Sequence, residues 1–205
     1  MLRSTTLALS AAIIATASAN GAPPGPRDPD WPCQQIKVPE LSLAAVWTGP
    51  TVDPQNTDWQ HDQVIADLVH EIAQRRVPLQ RAQDSIQTFA AQANDQKQQK
   101  LLALIGGLFS VLDEERSTVI AGLDRFGARQ KELAAELRGD NDKLRQLQAN
   151  PAADAGEVKQ MVQRITWEAE VLQDRRQALS YACDVPSKIE QRLFALARTI
   201  QQSLQ

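Results

Sequence analysis

Residues 150–157 read NPAADAGE, and they separate two long helical segments in the C-terminal half of the chain. Asn150 and Pro151 predict a tight turn, because asparagine favours turn conformations and proline fixes φ and lacks a backbone donor. Asp154, followed three residues later by Glu157, matches the acidic N-cap and glutamate partner with which many helices begin. The stretch therefore predicts a helix, a four-residue turn and a second helix.

Apolar residues on both sides of this turn recur in alternating steps of four and three, which is the spacing of a coiled-coil seam. The seam before the turn includes Leu123, Phe126, Leu133, Leu137, Leu144 and Leu147, and the seam after it includes Val158, Val162, Ile165, Ala169, Leu172, Leu179 and Cys183. Gln130 and Arg176 interrupt the two seams, and we interpret them as polar residues that fix the register. Two such helices joined by a short turn predict an antiparallel hairpin.

A turn centred near Pro151 and Ala152 sets the register of this hairpin, because the numbers of facing residues then sum to about 304. Val162 is thereby expected opposite residues 141–142, and Leu179 opposite residues 125–126. Arms of about 50 residues would be roughly 75 Å long. We interpret residues 139–142, GDND, as the weakest helical stretch, where a break or bend would fall.

Two shorter helices are predicted in residues 57–96, where apolar residues recur at near-helical spacing. Thr57 is the expected N-cap of the first helix, and Pro78 is expected to end it, because the residue before a proline disfavours the α conformation. With the open end of the hairpin (the hairpin spans residues 97–205), these helices would form a four-helix base from which a coiled-coil arm projects. A final helix should restart near Pro186.

Residues 101–112, LLALIGGLFSVL, form an uncharged run with Gly106 and Gly107 at its centre. We interpret the run as the buried centre of the base, where helices are apolar on all sides. Each helical glycine costs about 1 kcal/mol against alanine, so the pair is expected to admit a close neighbour, for which residues 31–47 are the candidate. Insertion of the run into a membrane interface is the alternative.

Residues 20–56 are irregular and proline-rich, and within them residues 30–50 read DWPCQQIKVPELSLAAVWTGP. Cys33 and Cys183 are the two cysteines of the chain, and in an exported protein such a pair predicts a disulfide. In the chain-entropy model, a disulfide that closes so long a loop stabilises the folded protein by up to about 5 kcal/mol. An intermolecular bridge and two free thiols are the alternatives. We therefore interpret residues 30–50 as a clasp in which Trp31 and Trp47 cover helices, while a recognition surface is the second interpretation.

The first 19 residues match a cleavable export signal. Arg3 precedes a short apolar core in residues 7–15, and Ala17 and Ala19 satisfy the small-residue rule for cleavage. The apolar core is shorter than the ~20 residues that span a bilayer. The mature chain is expected to begin near Asn20 and to reside in the periplasm of a Gram-negative bacterium.

Catalytic and metal-binding patterns are weak in this sequence. His61 and His70 are nine residues apart on one predicted helix, too far apart for the paired ligands of an i, i+4 zinc site. No nucleophile elbow, phosphate loop or haem-attachment motif is present, and the two cysteines do not form a CxxC pair. The formal net charge of −3 gives no basic surface for nucleic acid.

The sequence predicts an all-α protein with a small helical base, a long antiparallel coiled-coil hairpin and a disulfide-tethered N-terminal segment. We expect no catalysis and no cofactor, and instead an adaptor, scaffold or assembly factor that binds other envelope proteins through the arm. A holdase-type chaperone or membrane-active protein, with peripheral membrane contact through residues 101–112, is one alternative. A small-ligand or metal-binding protein that uses His61, His70 and the tryptophans of the base is the other.

Overall fold

The computed structural model describes residues 28–205, and over that range the chain is helical and contains no β-strand. The helices are α1 (Gln63–Ala73), α2 (Leu79–Gln92), α3 (Lys97–Ala149), α4 (Ala155–Cys183) and α5 (Val185–Leu204), with 3-10 turns at Leu43–Ala45 and Asn94–Gln96. The predicted all-α class, with base, hairpin and tethered N-terminal segment, is confirmed. The predicted signal in residues 1–19 lies outside the described residues.

The hairpin turn forms as the sequence predicts. The carboxylate of Asp154 accepts a hydrogen bond from the backbone N–H of Glu157 at 2.9 Å, and this bond caps the start of α4. Across the hairpin, an Asp140 carboxylate oxygen lies 3.0 Å from the guanidinium of Arg164, two residues whose numbers also sum to 304. The predicted register of the hairpin is therefore confirmed.

The helix α3 is continuous through residues 139–142, so the predicted break there is wrong. Its 53 residues give a helix about 80 Å long. Asp140 is buried between α3 and α4 and is paired with Arg164 and Lys143. This pairing gives the weak stretch a tertiary contact that helix propensity does not report.

The base is a bundle in which α1 and α5 pack on the first part of α3, and α2 packs on α5. Its centre consists of fully buried aliphatic side chains: Leu101, Leu104, Ile105, Leu108, Leu112, Ile189, Leu193, Leu196 and Ile200. The predicted burial of residues 101–112 is confirmed for eight of the twelve, while Leu102, Ala103, Ser110 and Val111 are half-buried. The restart near Pro186 is also confirmed, because α4 ends at Cys183 and Pro186 lies in the first turn of α5.

The first helix begins later than predicted. Asp62, and not Thr57, is the N-cap of α1, because its carboxylate accepts from the N–H groups of Val64 and Ile65. The Thr57 hydroxyl instead donates to the carbonyl of Pro54. The helix α1 also ends at Ala73, before Pro78, which is the N-cap of α2.

The neighbour of the two central glycines also differs from the prediction. A Cβ added to Gly106 would lie 2.5 Å from the hydroxyl oxygen of Thr57, and a Cβ added to Gly107 would lie 2.6 Å from the ring of Trp59. Such distances exclude a side chain at either position without movement of the neighbour. The glycines therefore admit the segment just before α1, and not residues 31–47.

Candidate functional site

The clasp (residues 30–50) follows one face of α3 where the arm leaves the base; the arm comprises residues 117–183. Its contacts on α3 recur at helical spacing and involve Asp113, Arg116, Asp124, Gly127 and Lys131. Residues three and four positions apart share a helix face, so the clasp covers a single stripe of α3. It joins the base to the arm along that stripe.

The disulfide between Cys33 and Cys183 is present, with an S–S distance of 2.02 Å. The Gln35 side chain donates a hydrogen bond to the carbonyl oxygen of Cys183 beside it. Cys183 is the last residue of α4. The bridge therefore attaches the clasp to the point where the arm ends and α5 begins.

Trp31 lies on the arm side of the clasp and is half-buried. Its indole N–H donates to the carbonyl of Gln35 at 2.7 Å, and the Lys37 ammonium lies 5.8 Å from its ring centroid. Lys37 also pairs with Asp124 of α3 at 2.8 Å and with Asp28 at 2.6 Å. The hydrogen bonds to Asp124 and then to Asp28 raise the pKa of Lys37, so this cation stays charged and links clasp to helix.

Gly127 is the point of closest approach between the clasp and α3. A Cβ at this position would lie 1.9 Å from the carbonyl oxygen of Asp30, closer than any side chain permits. The Asp30 carboxylate is 2.8 Å from the ammonium of Lys131, one turn further along. Glycine at position 127 is therefore required for the clasp to cross the arm here.

Arg116 is the most deeply buried charged residue among residues 28–205, with 1% of its surface exposed. Its guanidinium donates to the Val38 carbonyl at 2.6 Å and to Glu190 of α5, also at 2.6 Å. The Pro39 carbonyl lies 3.5 Å away. One side chain thus joins α3, α5 and the clasp at the junction of base and arm.

Asp113 lies one turn before Arg116 and also faces the clasp. Burial raises the pKa of this carboxyl, while the Arg116 charge and a hydrogen bond from the Leu41 backbone oppose the rise. Glu40 of the clasp adds a repulsive negative charge. The contact between clasp and base therefore contains a carboxylate that burial makes costly to ionise.

Trp47 occupies a different environment from Trp31. It is buried in the core of the base, and its indole N–H donates to the carbonyl of Pro50 at 2.8 Å. The clasp therefore has one tryptophan that contacts Gln35 and Lys37 of the clasp itself and one within the base. The structure does not bring the two rings together into one pocket.

The two histidines are also apart. His61 pairs through Nδ1 with Asp58 at the surface, beside a groove of about 540 Å³. His70 meets the ring of Trp59 edge-on, with centroids 5.7 Å apart, beside a groove of about 450 Å³. Between residues 28 and 205, no group of three or more histidine, cysteine, aspartate or glutamate side chains is placed to hold a metal ion.

On α4 the buried seam of the arm differs from the predicted one, both in the distal arm, residues 132–172, and nearer the root. Val162 is 41% exposed and Arg176 is exposed, whereas Met161 is half-buried and Glu168 is buried. The placement of Val162 and Arg176 in the seam is therefore wrong. Arg164 donates to Glu168 at 2.8 Å while it pairs with Asp140, and this arrangement turns Glu168 inward.

Trp167 projects from the distal arm with 64% of its surface exposed. It is the most exposed of the tryptophans in the described part of the chain; Trp47 and Trp59 are buried, and Trp31 is half-buried. An aromatic residue of this size on an exposed helix face is a common anchor in protein interfaces. Sequence periodicity did not single it out.

No family of known proteins, no curated protein and no solved structure matches this chain. Within residues 28–205, none of the helices has the length and apolar character needed to cross a membrane. The candidate sites therefore follow from geometry alone. They are the clasp at the junction and the exposed surface of the arm.

Proposed function

We propose that this chain is a non-catalytic periplasmic adaptor, scaffold or assembly factor that binds other envelope proteins through its arm. The export pattern of residues 1–19 and the Cys33–Cys183 bridge support an oxidising compartment outside the cytoplasm. The clasp and the buried Arg116 hold the arm to the base. A fixed arm presents its surface to partners at a low entropic cost.

The exposed Trp167 is the observation that supports the arm as the binding surface. Tryptophan is enriched among the residues that dominate binding energy, because its large ring buries much surface with few rotatable bonds. The side chains at the centre of the base are already buried against one another. The distal arm is thus the favoured contact region for a partner.

Crosslinking in intact cells tests this proposal. A photoreactive residue in place of Trp167 is expected to capture one envelope protein reproducibly, whereas the same residue in place of the half-exposed Phe194 of the base should not. Trp167→Ala should then weaken binding to the purified partner by tenfold or more, as is typical of an interface hot spot. The matched control is Tyr181→Ala, which removes an aromatic ring that is 70% exposed at the root of the arm. If crosslinking from the arm captures only nonspecific material, the proposal is contradicted.

The two alternatives have less support. A holdase or membrane-active role needs residues 101–112 at the surface, and most of their large aliphatic side chains are buried, with only Leu102 and Val111 half-buried. A ligand- or metal-binding role would use the grooves beside His61 and His70. Tryptophan fluorescence and the melting temperature, measured across a panel of metals and metabolites, would reveal such a role by a shift of either quantity.

A further inference from the structure

An apolar recess of about 240 Å³ opens between α3 and α4 at the root of the arm. Its lining includes the apolar side chains of Val119, Leu123, Phe126 and Leu179, together with two small residues, Gly122 and Ala182. The numbers of these two small residues sum to 304, so they face each other in the register of the hairpin. The recess exists because neither residue fills the space between the helices.

The clasp does not close this recess. Gly127, which the clasp crosses, is five residues from Gly122, and five residues correspond to about 140° around a helix. A Cβ added at Gly122 would meet only the Arg125 guanidinium, at 3.9 Å. None of the residues that line the recess belongs to the clasp, which lies on the adjacent face of α3, so the recess remains open.

Three exposed arginines lie within one helical turn of residues that line the recess. Arg125 extends over Gly122, Arg129 follows Phe126 by one helical turn, and Arg175 precedes Leu179 by one turn. Across residues 28–205, no carboxylate oxygen lies within 4.0 Å of any of these three guanidinium groups. The site thus matches an apolar side chain that is flanked by carboxylates.

The outer face of α1 presents this chemistry. Val64 is 64% exposed, and Asp67 and Glu71 are exposed one and two turns further along the same face. Between residues 53 and 71 there are five acidic residues and no lysine or arginine. The acidic surface of α1 is therefore complementary in charge to the rim of the recess.

The recess and α1 lie on the same side of the molecule. Val111 lines the grooves beside α1, and Gly122 is eleven residues further along α3, which is about three complete turns. Gly107, which contacts Trp59 and Val69, is about 22 Å from Gly122 along the helix. Two copies related by a two-fold axis can therefore make both contacts at once, since each recess would face the other copy's α1.

We propose that a second copy of this chain docks at the recess, with Val64 as its apolar anchor and with Asp67 and Glu71 opposite Arg129 and Arg175. The product is a symmetric dimer with two identical contacts. A bilayer is a poorer fit, because it needs a continuous apolar surface and this recess is bounded by arginines. The inference is independent of the proposed function, because it uses the arm root and α1 and leaves the distal arm uncovered.

Sedimentation analysis of the oxidised mature chain over a concentration series tests the dimer. The expected result is a concentration-dependent doubling of mass that added salt weakens, because salt screens the exposed charge pairs. If the measured mass remains that of a monomer at protein concentrations in the high micromolar range, the proposal is overturned.

A charge exchange identifies the two contacting faces. The double variant Arg129→Glu with Arg175→Glu and the double variant Asp67→Arg with Glu71→Arg should each lose self-association by about tenfold or more. Their equimolar mixture should form a heterodimer, because both of its contacts again join opposite charges. Arg138→Glu with Lys159→Glu, on the distal arm, is the matched control and should dimerise normally. A mixture that stays monomeric would overturn the assigned faces.

Filling the recess gives a test that does not depend on charge. Gly122→Leu places a side chain into open space, so circular dichroism should show an unchanged helix content and a melting temperature no lower than that of the parent, because leucine favours a helix more than glycine does. Its self-association should fall by about tenfold or more, because the anchor can no longer enter. A folded Gly122→Leu protein that dimerises like the parent would overturn the proposal, even if a charge variant fails to fold.

Discussion

The base and the distal arm are both helical, but they are held together by different interactions. In the base, Leu104, Leu108 and Ile200 are completely buried. In the distal arm, Leu133, Leu137, Leu144 and Leu147 are all partly exposed, and the buried side chains there include Asp140 and Glu168. Apolar burial therefore stabilises the base, whereas ion pairs fix the register of the arm and the clasp secures its root.

The largest expected effect is the loss of a core side chain from the base. Leu108→Ala should lower the free energy of unfolding by about 3–5 kcal/mol, because it removes buried methyl groups and leaves a cavity. The matched change in the arm, Leu137→Ala, should cost only about 1 kcal/mol, since that side chain is already partly in water. Urea unfolding measures both values, and equal losses would contradict the contrast between the regions.

The second effect concerns the disulfide. Replacing Cys33 and Cys183 together by serine should lower the free energy of unfolding by about 2–4 kcal/mol, because the unfolded chain regains the freedom of a very long loop. Limited proteolysis should then cut residues 30–50 faster, while the base stays resistant. If neither stability nor cleavage changes, the clasp does not depend on the bridge.

The third effect concerns the buried arginine of the junction. Arg116→Ala should lower the free energy of unfolding by about 2–3 kcal/mol, because Glu190 and the carbonyl of Val38 lose a charged partner. Arg176→Ala is the matched control and should change stability by less than about 0.5 kcal/mol, since that arginine is exposed. Thermal melts that rank the two variants equally would show that Arg116 contributes no more than a surface arginine.

The smallest effect depends on pH. Because the pKa of Asp113 in the folded protein is above its model-compound value of 3.8, the folded state retains this proton more strongly than the unfolded chain. The stability it contributes is complete below pH 3.8 and is lost as the pH rises through the folded pKa.

Asp113→Asn removes this ionisation. The free energy of unfolding of the variant should therefore increase relative to that of the parent as the pH rises from 4 to 7, by up to about 0.5 kcal/mol after allowance for solvent screening. Melting curves at several pH values measure the difference, with Glu114→Asn as an exposed control. A difference that is constant with pH, or that shrinks as the pH rises, would contradict the assigned shift.

The sequence predicted the hairpin because its determinants are local. The Asn150–Pro151 turn and the Asp154 cap establish where α3 ends and α4 begins, and the turn position then determines the register across the hairpin. The disulfide followed from there being only two cysteines in a chain that the sequence predicts to be exported. These features need no knowledge of distant contacts.

The features that the sequence did not predict depend on long-range contacts. Met161 and Val162 are both apolar, so periodicity alone could not decide which one faces α3, and the pair that joins Arg164 of α4 to Asp140 of α3 fixes the face that packs. Arg116 has the spacing of an ordinary solvated residue, and its burial comes from contacts with the clasp and with α5, which are distant in sequence. Gly127 did carry a signal, because an isolated glycine within a helix often marks close approach by another backbone.

Hydrogen exchange of the oxidised chain, followed by mass spectrometry, tests the difference between base and arm most directly. Amides of residues 101–112 should be the slowest to exchange and should open only with global unfolding, whereas amides of residues 133–147 should exchange through local opening at a lower free energy. Amides of residues 113–131, beneath the clasp, should be intermediate and should exchange faster once the disulfide is reduced. Exchange of residues 101–112 as fast as that of the distal arm would contradict this account of the fold.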